Sequence, residues 1–166
     1  MLKPINNITL VLLICLFWQC NQVNNTTQNN DEQNQDANST DIAQVESVSV
    51  QGNPNNYTFN VEVKSPDTGC QQYADWWEVV DLDGNLIYRR VLLHSHVNEQ
   101  PFTRSGGPVD ISSSRRVIVR AHMNNSGYSY AAMAGSVADG FEADSVADDF
   151  ANNLQNIEPL PDGCAF

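Results

Sequence analysis

Residues 74–93 read ADWWEVVDLDGNLIYRRVLL, two runs rich in aromatic and β-branched residues on either side of an Asp83-Gly84 pair. Asp-Gly supplies the left-handed conformations of a tight hairpin turn, so 74–81 and 86–93 are expected to pair as antiparallel strands. Outward from that hairpin the same signal recurs. Tyr57, Phe59, Val61 and Val63 alternate with polar residues over 57–64, and 42–50 alternates less regularly before the breaker Gly52-Asn53-Pro54. Residues 116–123 form a further strand, followed across the Asn-Asn-Ser-Gly turn at 124–127 by 129–137. Six or seven short strands around a tryptophan-rich third strand imply an all-β, immunoglobulin/fibronectin-III-like two-sheet sandwich.

Four segments follow from composition. Residues 1–20 carry Lys3, a short apolar run over 8–18 and then Cys20, an order that resembles a bacterial lipoprotein signal with lipidation at Cys20. Residues 21–41 are Asn/Gln-rich with no apolar periodicity, so ordering them would cost conformational entropy of about 1–2 kcal/mol per residue with nothing to offset it. They are expected to be a disordered tether. Residues 42–137 are the sandwich. Residues 138–166 hold seven acids and no Lys or Arg, and Val146, Phe150, Leu154 and Ile157 stand at helical spacing. That segment is expected to be an acidic, partly helical extension docked on the sandwich.

The formal charge of −12 over 166 residues argues against nucleic acid, because two adjacent arginine pairs, 89–90 and 115–116, make no basic face. Membrane association is expected through the N-terminal lipid alone. No nucleophile elbow, phosphate-binding glycine loop or His-Glu-x-x-His pair occurs, and the chain is read as not an enzyme.

Strand parity assigns faces. Val117, Val119 and Ala121 point inward, which turns Arg120 and His122 outward, and Trp77 and Val79 point inward while Glu78 reaches water. In 86–93 the apolar Ile87, Val91 and Leu93 are assigned to the core, leaving Tyr88, Arg90, His94 and His96 outside. Trp76, Tyr88, Arg90 and Arg120 then form an outer face of aromatics beside arginines, a candidate recognition surface. Sandwich topology further gathers Cys70, His94, His96 and His122 at one end. The three histidines are a candidate copper or zinc site. Glu99 and Arg104 either hold a small ligand or brace their loop. Asp81, Asp83 and Asn85 offer closely spaced oxygens for calcium, but the twelfth position is Leu92 rather than a bidentate Glu, and hairpin chemistry accounts for them.

From Tyr73 onward the chain resembles a group of small secreted bacterial proteins without an established activity. The residues that carry the resemblance are Tyr73-Ala74-Asp75, Trp77-Glu78-Val79-Val80-Asp81, Leu93-His94, His96-Val97, Glu99-Gln100-Pro101-Phe102-Thr103-Arg104 and Val119-Arg120-Ala121, with Ser95 where a proline is expected. Once the leader is removed and Cys20 is lipidated, Cys70 and Cys164 are the cysteines left to pair, in a compartment where disulfides persist. Two function classes stay open. One is an envelope-tethered, noncatalytic binding or accessory module for an envelope protein or small ligand. The other is a periplasmic or extracellular metal-binding protein that uses the histidines.

Overall fold

A computed structural model describes residues 42–165, and the signal segment, Cys20 and the tether lie outside the described residues. Two antiparallel sheets face each other. The first has the order β1-β2-β5, with β1 (Gln44–Asn53), β2 (Asn56–Lys64) and β5 (Phe102–Val109); the second has the order β4-β3-β6-β8-β9. Its strands are β3 (Ala74–Val80), β4 (Leu86–Val91), β6 (Val117–Met123), β8 (Ala131–Ser136) and β9 (Gly140–Ser145), and the two-residue β7 (Gly127–Tyr128) pairs with β6. The expected immunoglobulin/fibronectin-III-like sandwich is the observed fold.

The alternation in β2 does what its spacing dictates: Tyr57, Phe59, Val61 and Val63 are buried and the residues between them are not. They meet Trp77, Val79, Val117, Val119 and Met123 of the second sheet. The Gly106-Gly107-Pro108 run hides β5 from a reading by propensity. Its glycines answer to packing, because a Cβ on Gly106 would lie 2.8 Å from the Trp77 ring and one on Gly107 would lie 2.6 Å from the Tyr57 carbonyl.

Burial is continuous along β3 and β6, where every residue is buried. Such strands are covered on both faces. The second cover is the segment after β9, which crosses the outer side of the sheet with Val146 and Phe150 against Ile118, Ala132 and Ala134, and with Leu154 buried. Glu78 is therefore not at the surface but fully buried. Arg89 donates to its Oε2 and Arg120 Nε donates to its Oε1 at 2.9 Å.

Glu78 also overturns the parity assigned to β4. Glu78 pairs with Arg89, Trp77 with Arg90 and Val79 with Tyr88. Tyr88 and Arg90 therefore share the inner side with Trp77, and Arg89 shares the outer side with Glu78. Tyr88 packs 5.6 Å from the Trp77 ring, while Arg90 reaches across to the Ser105 carbonyl at 3.1 Å. Leu93, expected inside, is exposed. A charge-paired register outweighs the count of apolar residues, because an uncompensated buried carboxylate is far costlier than a half-exposed isoleucine.

Two boundaries move. The sheet does not end at 137, because β9 adds a strand along the full length of β8. The acidic residues of β9, Glu142 and Asp144, are exposed on the sheet's outermost strand, where charge discourages pairing with another chain. The helix expected over 145–156 shrinks to a single 3-10 turn, Asn152–Asn156, preceded by Ala151 in the left-handed region. The reason is that the carbonyls of Phe150, Ala151, Leu154, Ile157 and Pro159 accept from Arg120 and Arg89. Guanidinium donors take the place of continuing helical amides, while Ala151 and Leu154 keep only the 3-10 bonds from Leu154 and Ile157.

The segment after β9, residues 146–165, is a strap over the sheet, and it ends where elimination among the cysteines placed it. Cys70 and Cys164 form a disulfide with Cα atoms 5.5 Å apart, closing a separation of 94 residues. Replacing both cysteines by serine is expected to lower unfolding stability by about 4–5 kcal/mol in the chain-entropy account, read by urea titration. Glu78→Gln is expected to cost about 3–5 kcal/mol in the same titration, because two buried guanidinium groups lose their common anion. A loss below 1 kcal/mol would show that the pairs can be dissolved without consequence.

Candidate functional site

Three places collect the residues that sequence singled out. The first is the loop 94–104. His96 is buried, with its ring stacked on Phe102 at a centroid distance of 3.7 Å, and so it does not face outward as parity assigned it. Its backbone N–H donates to Asp67 Oδ2 at 2.7 Å, and Asp67 Oδ1 accepts from Ser65 Oγ and the Ala74 N–H. Gln100 donates to the His96 carbonyl and accepts from the Ser65 N–H. The buried Asp67, missed in the sequence reading, is thus the anchor to which the loop is tied. Its position in Ser-Pro-Asp carries no periodic signal. Glu99 and Arg104 form an exposed pair at 2.9 Å, with the Arg104 guanidinium also above the Phe102 ring and holding the Glu99 carboxyl below its usual range.

Among the described residues neither ring nitrogen of His96 has a hydrogen-bonding partner, and Asp67 Oδ2 stands 3.9 Å from its Nδ1. Burial, reinforced by the charge of Arg104, pulls its pKa down from 6.5 to about 4. Between those values the unfolded chain binds a proton that the folded chain does not, so stability falls as pH falls through the window and the penalty is complete below about 4. Relative to His96→Leu, the wild type is expected to lose roughly 2–3 kcal/mol between pH 7 and 4, at about 1.4 kcal/mol per unit. Parallel denaturant midpoints for the two proteins across that range would refute it.

The histidines are not brought together. His94 is exposed and its ring lies 4.6 Å from that of His96, but His122 is engaged elsewhere, with Nδ1 2.7 Å from Asp75 Oδ1. Among the described residues no group of three or more His, Cys, Asp or Glu side chains is placed to hold a metal ion. The copper or zinc set of His94, His96 and His122 is therefore not assembled in this structure. Parity placed His122 correctly outside the sandwich core, and His96 failed the expectation because Phe102 draws its ring inward. The carboxylate of Asp81 is likewise occupied, accepting from the Asp83 and Asn85 amides and from Arg115. It organises a hairpin.

The second place is the face of Trp76, Tyr88, Arg90 and Arg120. It is not an open surface: Trp76 and Arg120 are buried under the strap, and Tyr88 and Arg90 point to the other side. Arg120 lies 3.6 Å over the Tyr128 ring, whose phenol burial pushes up to about 12. Trp76 is sandwiched between the His122 ring at 3.7 Å, from the β6 side, and the Arg89 guanidinium at 4.4 Å, from the β4 side.

The third place was not foreseen as a site. Beside the disulfide, the strap and the β6-β7 turn leave an open cleft of about 550 Å³, with Asp75, Trp76 and His122 among its walls. Residues 124–127 form one side of it and Gln155, Asn156, Leu160 and Pro161 the other. Asn124 is fixed there, accepting from the Tyr73 N–H and donating to the Cys70 carbonyl. Asp75 was visible beforehand only as part of the Tyr73-Ala74-Asp75 resemblance, and the strap's contribution depends on tertiary structure.

A curated relative named "Putative lipoprotein", from Halomicrobium mukohataei (strain ATCC 700874 / DSM 12286 / JCM 9738 / NCIMB 13541), is 41% identical over 75 residues. The match covers 45% of this chain and 37% of that protein's length. No family model matches the chain, and no solved structure matches it. Among the described residues, no helix is long and apolar enough to cross a membrane.

Proposed function

We propose that this chain is an envelope-tethered, noncatalytic binding module whose ligand occupies the cleft beside the Cys70–Cys164 disulfide. The observation that carries the reading is the construction of that cleft. Its floor is a hydrogen-bonded Asp75–His122 pair and its rim is polar, and both are fastened by a covalent cross-link and by the buried arginines under the strap. Ligand sites are concave and preformed, and rigid walls lower the ordering cost of binding.

The tether reading rests on the lipoprotein-like start at 1–20 and agrees with the name of the relative. The partner is a small ligand or an envelope component. The formal charge of −12 makes nucleic acid an unfavourable one. In cells fed an alkyne-bearing fatty acid, the full chain is expected to take up label and sediment with envelopes. Cys20→Ser is expected to do neither. For the cleft, detergent-extracted full-length chain is expected to be retained on purified envelope material. Gln155→Trp, which fills the cleft from an exposed position, is expected to lower retention at least about fivefold with unchanged thermal unfolding. Equal retention of the two proteins would refute the cleft as the binding site.

A further inference from the structure

We infer that the cleft takes a neutral, hydroxyl-rich ligand, a saccharide, with His122 Nε2 accepting a hydrogen bond from one of its hydroxyls. The inference rests on the cleft being the binding site and adds the chemistry of the ligand. Charge narrows the choice first. Among the described residues no Lys or Arg lines the cleft, and the two nearby guanidinium groups are committed to Glu78 and to strap carbonyls, so an anion finds no counter-charge there. An ammonium group needs an accessible carboxylate. Among the described residues Asp75 is the one acid that lines the cleft, and its side chain is 5% exposed and already faces His122. A neutral polar ligand is left.

The lining then distinguishes among neutral ligands. His122 Nδ1 lies 2.7 Å from Asp75 Oδ1, and a neutral ring whose Nδ1–H donates to that oxygen keeps Nε2 as a lone-pair acceptor. On the strap side, Gln155 and Asn156 are exposed, and a side-chain amide both donates and accepts. A sugar hydroxyl also does both, so a ring with neighbouring hydroxyls can satisfy acceptor and amides together. A peptide strand would need a free strand edge, whereas these walls are a turn and a strap. Trp76 is not a stacking platform, because His122 and Arg89 occupy its ring faces. Leu160 and Pro161 supply the apolar patch for a sugar's C–H face instead.

The test uses detergent-solubilised full-length chain labelled for amide NMR. It is titrated with glucose, N-acetylglucosamine and cellobiose, and with glucuronate and glucosamine as charged counterparts. Neutral sugars are expected to shift the amides of 124–128 and 155–160 saturably. Gln155→Ala and Asn156→Ala are each expected to weaken binding about three- to tenfold, the loss of one hydrogen bond. His122→Phe removes the Nε2 acceptor and is read the same way, with the two exposed alanine variants standing if it fails to fold. Tighter binding of cellobiose than glucose would indicate a glycan polymer as the source, and equal binding would indicate a free sugar. If glucuronate or glucosamine binds these amides as tightly as its neutral counterpart, the ligand class is wrong while the cleft stands. If no neutral sugar shifts them but Gln155→Trp still lowers envelope retention, the same conclusion follows. Silence from every probe together with unchanged retention by Gln155→Trp removes both.

Discussion

Glu78 holds the second sheet and the strap in one structure. A carboxylate buried in the middle of β3 must be compensated, and Arg89 and Arg120, from the strands on either side, both donate to it. One anion and two cations leave a net positive charge beneath the strap. Five backbone carbonyls answer it, from Phe150, Ala151, Leu154, Ile157 and Pro159. The same interaction sets the register of β4, holds 150–159 out of a regular helix and covers Trp76. Buried ion pairs of this kind contribute little net stability against apolar replacements, yet breaking one is costly, so they act mainly by excluding alternatives.

Coverage has a consequence for function. The aromatic and arginine face that looked like a recognition surface is used internally, and the polar opening lies at its margin, where the strap turns toward Cys164. The cross-link and the arginine-carbonyl bonds restrain the strap at separate points. One side of the cleft is therefore a fixed wall. On the other side the β6-β7 turn is held by Asn124, which links it to the loop of Cys70. The cleft is assembled from a turn and a strap that are both fastened to the same loop.

The 94–104 loop follows a different logic. Its density of histidine, glutamate, glutamine and arginine suggested chemistry, but most of those side chains organise the loop itself. Gln100 joins Ser65 to the His96 carbonyl, Arg104 pairs with Glu99, and His96 fills space against Phe102 with no hydrogen bond to its ring nitrogens among the described residues. A specific sequence motif can thus record a demanding local structure. Its cost is a buried imidazole whose protonation opposes folding in mildly acidic conditions.

Local pattern was enough for much of the architecture. Alternation over 57–64, the Asp83-Gly84 turn, and the apolar parity of Val117, Val119 and Ala121 placed four strands and the outward direction of Arg120 and His122, because a period of two residues is a property of the chain alone. Cysteine counting identified the Cys70–Cys164 bridge. What stayed hidden depended on partners distant in sequence. Strand β5 is written in Gly-Gly-Pro because Trp77 and Tyr57 press against it, and parity failed in β4 because Arg89 had to meet Glu78. The helical spacing of 145–156 lost to guanidinium groups from β4 and β6. His122 stands apart from His94 and His96 because Asp75 engages it, and the His96 ring is taken up by Phe102. Periodicity reports which side of an element is apolar, whereas charge compensation, close backbone approach and ring stacking require a second segment, and it is the fold that supplies it.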